Sequence, residues 1–315
     1  MYSSSTQFNH KKVVDISTEM NRLDLTAISP MLRVDPEADK TFADHFEHFL
    51  AHQDAATLDT LVIGFWAEDY DLSDTRYLSR MLAVLIDHKD KLPALKALFI
   101  GNIAQEESEI SWIEMVCLSP IISAFSLENF RARGNGRFLE APINNTGLKK
   151  LSLETGGLSA ETIKHIIASD LPNLEHLELW IGDSEWYGDA KFAAIQPLLN
   201  SNKFPNLQYL GLRNCNYADE LAIALANGAE ILTTVKTLDL SLGNLSNKGA
   251  KALATSVNIA SLDKLDIHYH YIEDDALLAT LATVVPELDA SDQQEADIYE
   301  DDGEEEISRY VFVSE

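Results

Sequence analysis

Near the end of the chain, LDIHYHYIED (265–274) places three residues that could hold a metal ion at every second position. Side chains two residues apart on a strand point to the same face, so Asp266, His268 and His270 would be brought together. One carboxylate and two imidazoles suit zinc or iron. The interpretation depends on where the strand ends, because a strand that ends near His268 leaves His270 in the following turn.

Three further histidines, His45, His48 and His52, have the spacing that puts side chains along one side of a helix. An apolar stripe in the same segment predicts which side of that helix faces the core, and the histidines lie roughly 110° around from it, at about 100° per residue. We therefore expect them at the boundary of the core and not as metal ligands. The stripe consists of Phe42, Phe46, Phe49 and Leu50.

The acidic run EADIYEDDGEEEIS is similar to a calcium loop, with Glu300, Asp302 and Gly303 at suggestive offsets. The pattern fails at both ends, because Ile298 occupies the first ligand position and Arg309 stands where the closing glutamate is needed. We predict only weak, nonspecific attraction of cations to this run.

Residues arranged for covalent catalysis are not apparent in the sequence. It contains no G-x-S-x-G turn and no G-x-x-x-x-G-K-[ST] phosphate loop. Neither Cys117 nor Cys215 has a histidine at a spacing known to activate it, and a buried cysteine is more often a small apolar residue. We expect no enzymatic activity, no cofactor and no metal ion. The alternative is an enzyme or metal-dependent site that only the fold assembles.

The charge of the chain excludes several classes of partner. Lys and Arg number 24 and Asp and Glu 51, which gives a formal charge of −27. Nucleic acids and anionic membranes would be repelled, so we expect neither as a partner. The two cysteines match no disulfide framework, and no apolar run has the length of a signal peptide or membrane span. These features predict a cytoplasmic globular protein.

The elements that would position these residues come from an internal repeat. The pattern apolar-x-x-apolar-x-apolar returns eight times, at a mean interval of about 29 residues. Alternate apolar residues in each hexamer predict a short strand with one buried face, and the three- and four-residue apolar spacing that follows most hexamers predicts a helix. The hexamers begin at Leu58, Leu95, Leu127, Leu148, Leu174, Leu207, Val235 and Leu262.

The repeat resembles that of leucine-rich repeat proteins of the ribonuclease-inhibitor type, most specifically in VKTLDLSLGNLSNKGAKALA (235–254), and the match covers about 58–285. More narrowly, EISWI (109–113), LPNLEHLELWIG (171–182) and the LDIHYHYI run look like a bacterial family of single-domain leucine-rich repeat proteins without an assigned activity. Both resemblances imply a binding scaffold with no catalytic residues to carry over.

The predicted fold class is α/β: a leucine-rich repeat solenoid forming a curved horseshoe, with parallel strands on the concave face and helices on the convex face. The ribonuclease-inhibitor type places Asn or Cys five residues after the second leucine, where the side chain bonds the turn backbone. These positions hold Gly156, Cys215, Gly243 and His270, so only Cys215 fits. We expect His270 to face inward and bond backbone, which removes it from the metal pattern.

We divide the chain into four parts. RYVFV (309–313) is predicted to be a strand that caps the last repeat. The preceding stretch, 287–306, holds 11 Asp or Glu in 20 residues and is predicted to be a solvated, mobile loop. The parts are a partly flexible N-terminal lead (1–19), an N-terminal cap (20–57), about eight repeats (58–285), and the acidic loop with its capping strand (286–315).

Residues between the buried apolar positions of each strand must point into the concavity. Asp239 and Asp266 fall side by side there, where like charges are unfavourable, so a cation should relieve them. Lys264 and His268 are internal candidates, and a lysine or arginine of a partner is the functional one. We predict that this face, with an exposed Trp180, binds a basic or mixed-charge protein segment; the alternative is a solvated sheet face with internal ion pairs. The predicted partner-binding residues are Arg131, Arg133, Glu154, Glu178, Trp180, Arg213, Asp239, Asp266 and His268.

Two loops are longer than the repeat requires and carry aromatic residues. AQEESEISWIEM contains Trp112, and IGDSEWYGDAKF contains Trp186 and Tyr187. We interpret the first as a solvated loop whose tryptophan anchors the convex side. The alternative for both loops is the rim of a binding site.

Overall fold

The computed structural model describes residues 2–183, 188–301 and 304–314. Two compact units are present. The first contains the chain up to Glu154 together with Ala168–Leu171, and the second contains Thr155–Ile167 and Pro172–Ser314. Among the described residues, no helix is both long enough and apolar enough to cross a lipid bilayer.

The first unit is built on a sheet and three helices. Its helices are α1 (Phe42–His52), α2 (Thr75–Asp87) and α3 (Ser119–Ala124). Its strands are β1 (Gln7–Phe8), β2 (Lys11–Asp15), β3 (Ser29–Leu32), β4 (Thr60–Ile63), β5 (Ala97–Ile100), β6 (Glu114–Met115), β7 (Asn129–Arg133), β8 (Asn135–Gly136) and β9 (Lys150–Glu154). The sheet runs β1-β2-β3-β4-β5-β7-β9, with β1 antiparallel to β2 and every other pair parallel. A separate parallel pair joins β6 to β8.

The second unit repeats the same plan and ends in a hairpin. Its helices are α4 (Ala160–Ala168, of which Ala168 belongs to the first unit), α5 (Phe192–Leu199), α6 (Ala218–Ala226), α7 (Asn247–Ala254) and α8 (Asp275–Val284). Its parallel strands are β10 (His176–Gly182), β11 (Tyr209–Cys215), β12 (Thr237–Asp239), β13 (Lys264–Asp266) and β14 (Glu287–Asp289). The antiparallel hairpin consists of β15 (Asp297–Asp301) and β16 (Glu304–Ser308).

The strand register follows the predicted repeat. Leu210 of β11 pairs with Leu238 of β12, which pairs with Leu265 of β13, and all three are completely buried. Each helix lies between two strands in the chain, and α6 packs on α7 as α7 does on α8. Because a parallel ladder of leucines backed by helices is the leucine-rich repeat arrangement, the predicted α/β leucine-rich repeat solenoid is confirmed.

The turns after the strands of the second unit share one backbone feature. Asn214, Leu242 and Tyr269 occupy the same repeat position, seven residues after the first apolar residue of the hexamer, and have φ angles of 54°, 66° and 60°. L-residues rarely adopt this left-handed conformation, which costs roughly 1–2 kcal/mol per residue. The solenoid therefore accepts backbone strain at a regular interval.

At both ends of the chain, strands form where the sequence predicts a flexible lead or a loop. Within the lead predicted at 1–19, β1 and β2 extend the first sheet. Within the predicted acidic loop, β14 forms a further repeat strand, and β15 and β16 form the hairpin. The strand predicted over 309–313 is wrong, because that stretch forms no strand and has a bend at Phe312. The boundaries of the four predicted parts stay predictions.

Candidate functional site

The predicted rows of side chains exist in each unit. In the first, Phe99, Arg131 and Ser152 pair on successive strands, and Arg133 pairs with Glu154. In the second, Glu178, Gly211, Asp239 and Asp266 pair in the same way, and Trp180 pairs with Arg213. The residues that were predicted to bind a partner therefore fall into two groups, one in each unit.

The group in the first unit is a sealed ion cluster. Arg131 Nε donates to one carboxylate oxygen of Glu154, and Arg133 Nε donates to the other at 2.7 Å. The Glu154 and Arg133 side chains are only 2% and 4% exposed. The Arg131 guanidinium lies 4.3 Å from the ring centre of Phe99. One carboxylate thus serves two guanidinium groups beneath an aromatic ring, and Arg133 and Glu154 are not free to meet a partner, contrary to the prediction.

A segment far away in the sequence covers Arg133, which donates to Ser3 O and lies against the Tyr2 ring, whereas the two arginines enclose Glu154. Residues 2–8, which we call the N-terminal segment, lie over the face of β4 and β5. Phe8 packs against Phe99, with ring centres 5.5 Å apart, and Val62 and Phe99 are completely buried. The apolar start of the predicted concave face is therefore covered by the chain itself.

In the second unit, Glu178 lies at the centre of a polar network. Its carboxylate accepts hydrogen bonds from Trp180 Nε1 at 2.9 Å and Arg213 Nη1 at 3.2 Å, and His176 Nε2 lies 3.5 Å away. Burial raises the pKa of Glu178, but the hydrogen bond from His176 and the Arg213 charge outweigh it and hold the pKa at about 2. The carboxylate is thus ionised and satisfied by its neighbours.

Trp180 is 6% exposed, so the prediction that it is an exposed tryptophan on this face is wrong. Its indole N–H is used by Glu178, and the Arg213 guanidinium lies 5.4 Å from its ring centre. Strand alternation correctly gave the side to which Trp180 points. The long side chain of Arg213 on the next strand covers it.

The predicted pair of aspartates is relieved by internal cations. Asp239 lies 3.3 Å from Arg213 Nε and accepts from the Tyr209 hydroxyl at 2.7 Å, which leaves it 5% exposed. Asp266 lies 2.6 Å from His268 Nδ1. Lys264 pairs with Glu287 and not with the aspartates. The cation that relieves Asp239 is therefore Arg213, which was not among the expected internal candidates.

A third aspartate extends this row. Asp289 of β14 pairs with Asp266 in the strand register, so Asp239, Asp266 and Asp289 stand on three adjacent strands; we call them the aspartate row. Asp289 accepts from the Ser291 backbone N–H and hydroxyl, and these hydrogen bonds lower its pKa. No described Lys, Arg or His forms an ion pair with it. The sequence signal for this strand was ELDAS, which repeats TLDLS and KLDIH of the two preceding strands.

In the structure, the possible metal ligands near LDIHYHYIED are not the three residues that the sequence spacing brings together. Atoms of Asp266, His268 and Asp289 that could ligate a metal lie within 4.8 Å of one another, and they form the one such group among the described residues. His270 lies elsewhere: it is completely buried, its Nε2 is 3.1 Å from Ala290 O, and its Nδ1 accepts from Ile272 N–H at 3.0 Å. The prediction that His270 faces inward and bonds backbone is confirmed.

The other candidate ligands and nucleophiles have structural roles. His45 is 2% exposed with Nδ1 3.0 Å from Ser17 O, so it lies within the core and not at its boundary as expected. His48 and His52 are half-buried, and their rings lie 4.2 Å apart. Cys215 is buried, and burial raises the pKa of its thiol, which disfavours the nucleophilic thiolate. Cys117 is half-buried.

The first long loop is fully described and the second only in part. Trp112 is 62% exposed, so it does not anchor the convex side as interpreted from the sequence. Trp186 and Tyr187 lie outside the described residues, as do Asp302 and Gly303 of the calcium-like run.

Comparisons with solved structures find similar chains. A solved structure of a protein from Bacteroides fragilis aligns with a TM-score of 0.74 and 31% sequence identity, over 82% of this chain and 72% of that one. An internalin (inlF) from Listeria monocytogenes aligns with a TM-score of 0.37 and 15% identity, over 88% and 76% of the two chains. The TLR13–ssRNA13 complex aligns with a TM-score of 0.39 and 16% identity, over 94% and 39%. Alignments with such low scores support no inference. Known protein-family profiles and curated protein sequences give no match.

Proposed function

We propose, from the premise that this chain belongs to the leucine-rich repeat family of the Bacteroides fragilis protein, that it is a noncatalytic protein-binding scaffold. Its binding surface is the aspartate row of the second unit. The partner is a protein segment that presents lysine or arginine side chains to this row.

One observation carries the proposal, which is the incomplete neutralisation of the aspartate row. Neighbouring strands lie about 4.8 Å apart, and like charges directly opposite one another are unfavourable. Arg213 serves Asp239 and His268 serves Asp266, whereas Asp289 has no ion pair of its own among the described residues: it accepts hydrogen bonds from Ser291, and the charges of His268 and Lys264 act on it only from a greater distance. A cationic side chain placed between Asp266 and Asp289 would relieve the repulsion that the sheet imposes.

The buried part of the network supports the exposed part. Arg213 is held by Glu178, Asp239 and the Ser241 hydroxyl, which accepts from Arg213 Nε at 2.9 Å. Because these groups are already fixed, a partner would not have to order them on binding, and such preorganisation lowers the cost of association. Asp266 and Asp289 are half-buried and are the members of the row that a partner can reach.

The test must separate this surface from the general attraction of any polycation to a chain of charge −27. We compare Asp266→Asn/Asp289→Asn with Glu273→Gln/Glu295→Gln, which removes two exposed acids outside the row and gives the same net charge. Fluorescence anisotropy would measure binding of lysine- and arginine-containing dodecapeptides at two salt concentrations. We expect at least tenfold weaker binding in the row variant alone. Equal loss in both variants would show that the attraction is nonspecific and would refute the proposal.

A divalent cation is a second candidate occupant, favoured by the approach of Asp266, His268 and Asp289 to within 4.8 Å. Carboxylates and imidazole are suitable ligands for zinc or manganese. Calorimetric titration with each metal would show one saturable site that the row variant lacks. Peptide binding that persists unchanged with EDTA would assign the surface to the protein partner instead.

A further inference from the structure

The N-terminal segment lies on the first unit as a peptide lies in a receptor. Side chains of the unit hold its backbone at four residues. Gln105 Oε1 accepts from Tyr2 N–H at 3.3 Å, and Arg133 Nη1 donates to Ser3 O at 3.0 Å. Ser29 Oγ donates to Phe8 O at 2.7 Å. The fourth contact, with Asn102, is bidentate.

Asn102 binds one residue of the segment through both of its backbone groups. Its Oδ1 accepts from Ser5 N–H at 2.6 Å and its Nδ2 donates to Ser5 O at 3.1 Å. The Asn102 side chain is 2% exposed, so it is held in place to do this. An amide side chain that pairs with a backbone N–H and C=O recognises an extended peptide of any sequence, because every residue except proline offers both groups.

Two aromatic residues anchor the segment at its ends. Tyr2 and Phe8 are 5% and 6% exposed, whereas most of the short polar residues between them reach solvent. The Tyr2 hydroxyl donates to Ser108 O at 2.7 Å, and the Arg133 guanidinium lies 5.0 Å from the Tyr2 ring centre. Selectivity therefore comes from two aromatic side chains six residues apart.

The strand pairing that joins the segment to the rest of the unit is short. Asn9 and His10 have φ angles of 50° and 63°, so they form a tight turn of left-handed residues between β1 and β2. β1 itself is only two residues long. Besides this pairing, Val13 N–H donates to Thr6 O, Gln105 N–H donates to Tyr2 O, and the side-chain contacts described above hold the segment. Contacts of these kinds can be exchanged for the same contacts to another chain.

We propose that the strand face of the first unit is a binding site for an extended peptide, which the N-terminal segment occupies in cis and a partner segment can occupy in its place. The partner segment has two aromatic residues six positions apart, separated by small polar residues. Asn102 and Arg133 bind its backbone, and the pockets of Tyr2 and Phe8 receive the aromatic side chains. This site shares no residue with the aspartate row, so either proposal can fail without the other.

The experiment uses the full chain with Tyr2→Ala/Phe8→Ala, which releases the segment and leaves every receptor residue in place. The probe is an N-acetylated peptide of residues 2–11, YSSSTQFNHK, labelled on its lysine. We expect saturable binding by fluorescence anisotropy, at least tenfold tighter than to the unaltered chain, where the cis segment competes at a high effective concentration. Adding Asn102→Ala to the double variant, or replacing both aromatic residues of the probe by alanine, should each weaken binding at least tenfold.

Two results would overturn the proposal. One is absence of saturable binding to a double variant whose circular dichroism matches that of the unaltered chain. The other comes from hydrogen exchange of the unaltered chain and applies even if the double variant fails to fold. The proposal requires the Ser5 amide to exchange faster than those of β4 and β5, by local opening. If all three exchange together, the segment is an inseparable part of the fold.

Discussion

The two strand faces follow the same repeat register and yet have different surroundings. In the first unit, the N-terminal segment covers Arg133, Arg131 and Arg133 enclose Glu154, and the side chains of Arg133 and Glu154 are 4% and 2% exposed. In the second, Arg213 and Glu178 keep 17% and 13% of their side-chain surface, and the aspartate row opens further towards β14. Strand alternation sets the direction of a side chain, whereas a segment distant in the sequence decides whether that side chain meets solvent.

The segments at the two ends of the chain differ in the same way, because one covers a strand face and the other lies beside the turns. Asn102 and Asn214 occupy the same repeat position, and each pairs with both backbone groups of one residue in a terminal segment. Asn102 holds Ser5 over the strand face of the first unit, whereas Asn214 holds Val313 beside the turns at Leu242 and Tyr269. Residues 310–313, which we call the C-terminal segment, lie along these turns, and Asp266 and Asp289 keep part of their surface exposed to solvent.

The largest expected effect concerns the buried charges of the first unit. Glu154→Gln removes the carboxylate that pairs with both Arg131 and Arg133. Removing one partner of a buried ion pair leaves an uncompensated charge and costs about 3–5 kcal/mol. We expect a loss of about that size in the free energy of unfolding, measured by urea denaturation followed by circular dichroism.

Asp266→Asn is the matched change in the second unit. The Asp266 and His268 side chains are 15% and 28% exposed, so solvent screens their interaction and the expected loss is at most about 1 kcal/mol. If the two variants lost equal stability, the contrast between a sealed and an open face would be wrong.

Much of the fold can be predicted from the sequence because its signal is periodic. Each hexamer repeats the leucines that the neighbouring strand must match, so strand order and register follow from local residues. β14 escaped this reasoning because its hexamer, VPELDA, lies at the start of the acidic run, where composition indicated a loop. The Leu-Asp pair that β14 shares with β12 and β13 predicts the strand better than the charge of the surrounding residues does.

The candidate site could be predicted only in part. The face of each residue, the inward turn of His270 and the adjacency of Asp239 and Asp266 all follow from the repeat. The burial of Trp180 and Glu154 does not, because it depends on long arginine side chains of the neighbouring strands, and the burial of Arg133 depends on the N-terminal segment. Sequence spacing carries no information on contacts such as that of Asn102 with Ser5, 97 residues away.

Asn102 and Asn214 should differ in how much they contribute to the free energy of unfolding. Asn102→Ala removes two hydrogen bonds, worth about 1 kcal/mol each. Asn214→Ala removes two as well, and also puts alanine at a φ of 54°, which costs roughly 1 kcal/mol more. We expect losses of about 2 and 3 kcal/mol, measured by urea denaturation. Asn214→Gly should recover the backbone part, about 1 kcal/mol, relative to Asn214→Ala.

Asn102→Gly provides the control, because Asn102 does not have a positive φ and glycine there gains nothing over alanine. Glycine rescue at both positions, or at neither, would show that the turn at Asn214 is not strained as its φ indicates.

The smallest effect concerns two histidines that respond to pH in opposite directions. The hydrogen bond with Asp266 raises the pKa of His268, whereas burial lowers the pKa of His270. His268 therefore stabilises the folded chain fully below its unfolded pKa of about 6.5 and loses that contribution as pH rises through its folded pKa. For His270 the unfolded chain binds the extra proton, so stability falls as pH drops below about 6.5.

Variants of each histidine should change the slope of stability against pH with opposite sign. Between pH 5.5 and 7.5, His268→Gln should make the free energy of unfolding rise more steeply with pH, because the opposing contribution is gone. His270→Asn should flatten the rise, because asparagine can bond the turn without titrating. Urea midpoints at a series of pH values would measure both slopes. A change of the same sign in both variants would mean that the two rings do not differ as their surroundings require: His268 is half-buried beside a carboxylate, whereas His270 is buried and its Nδ1 accepts from Ile272 N–H, which requires a neutral ring with its proton on Nε2.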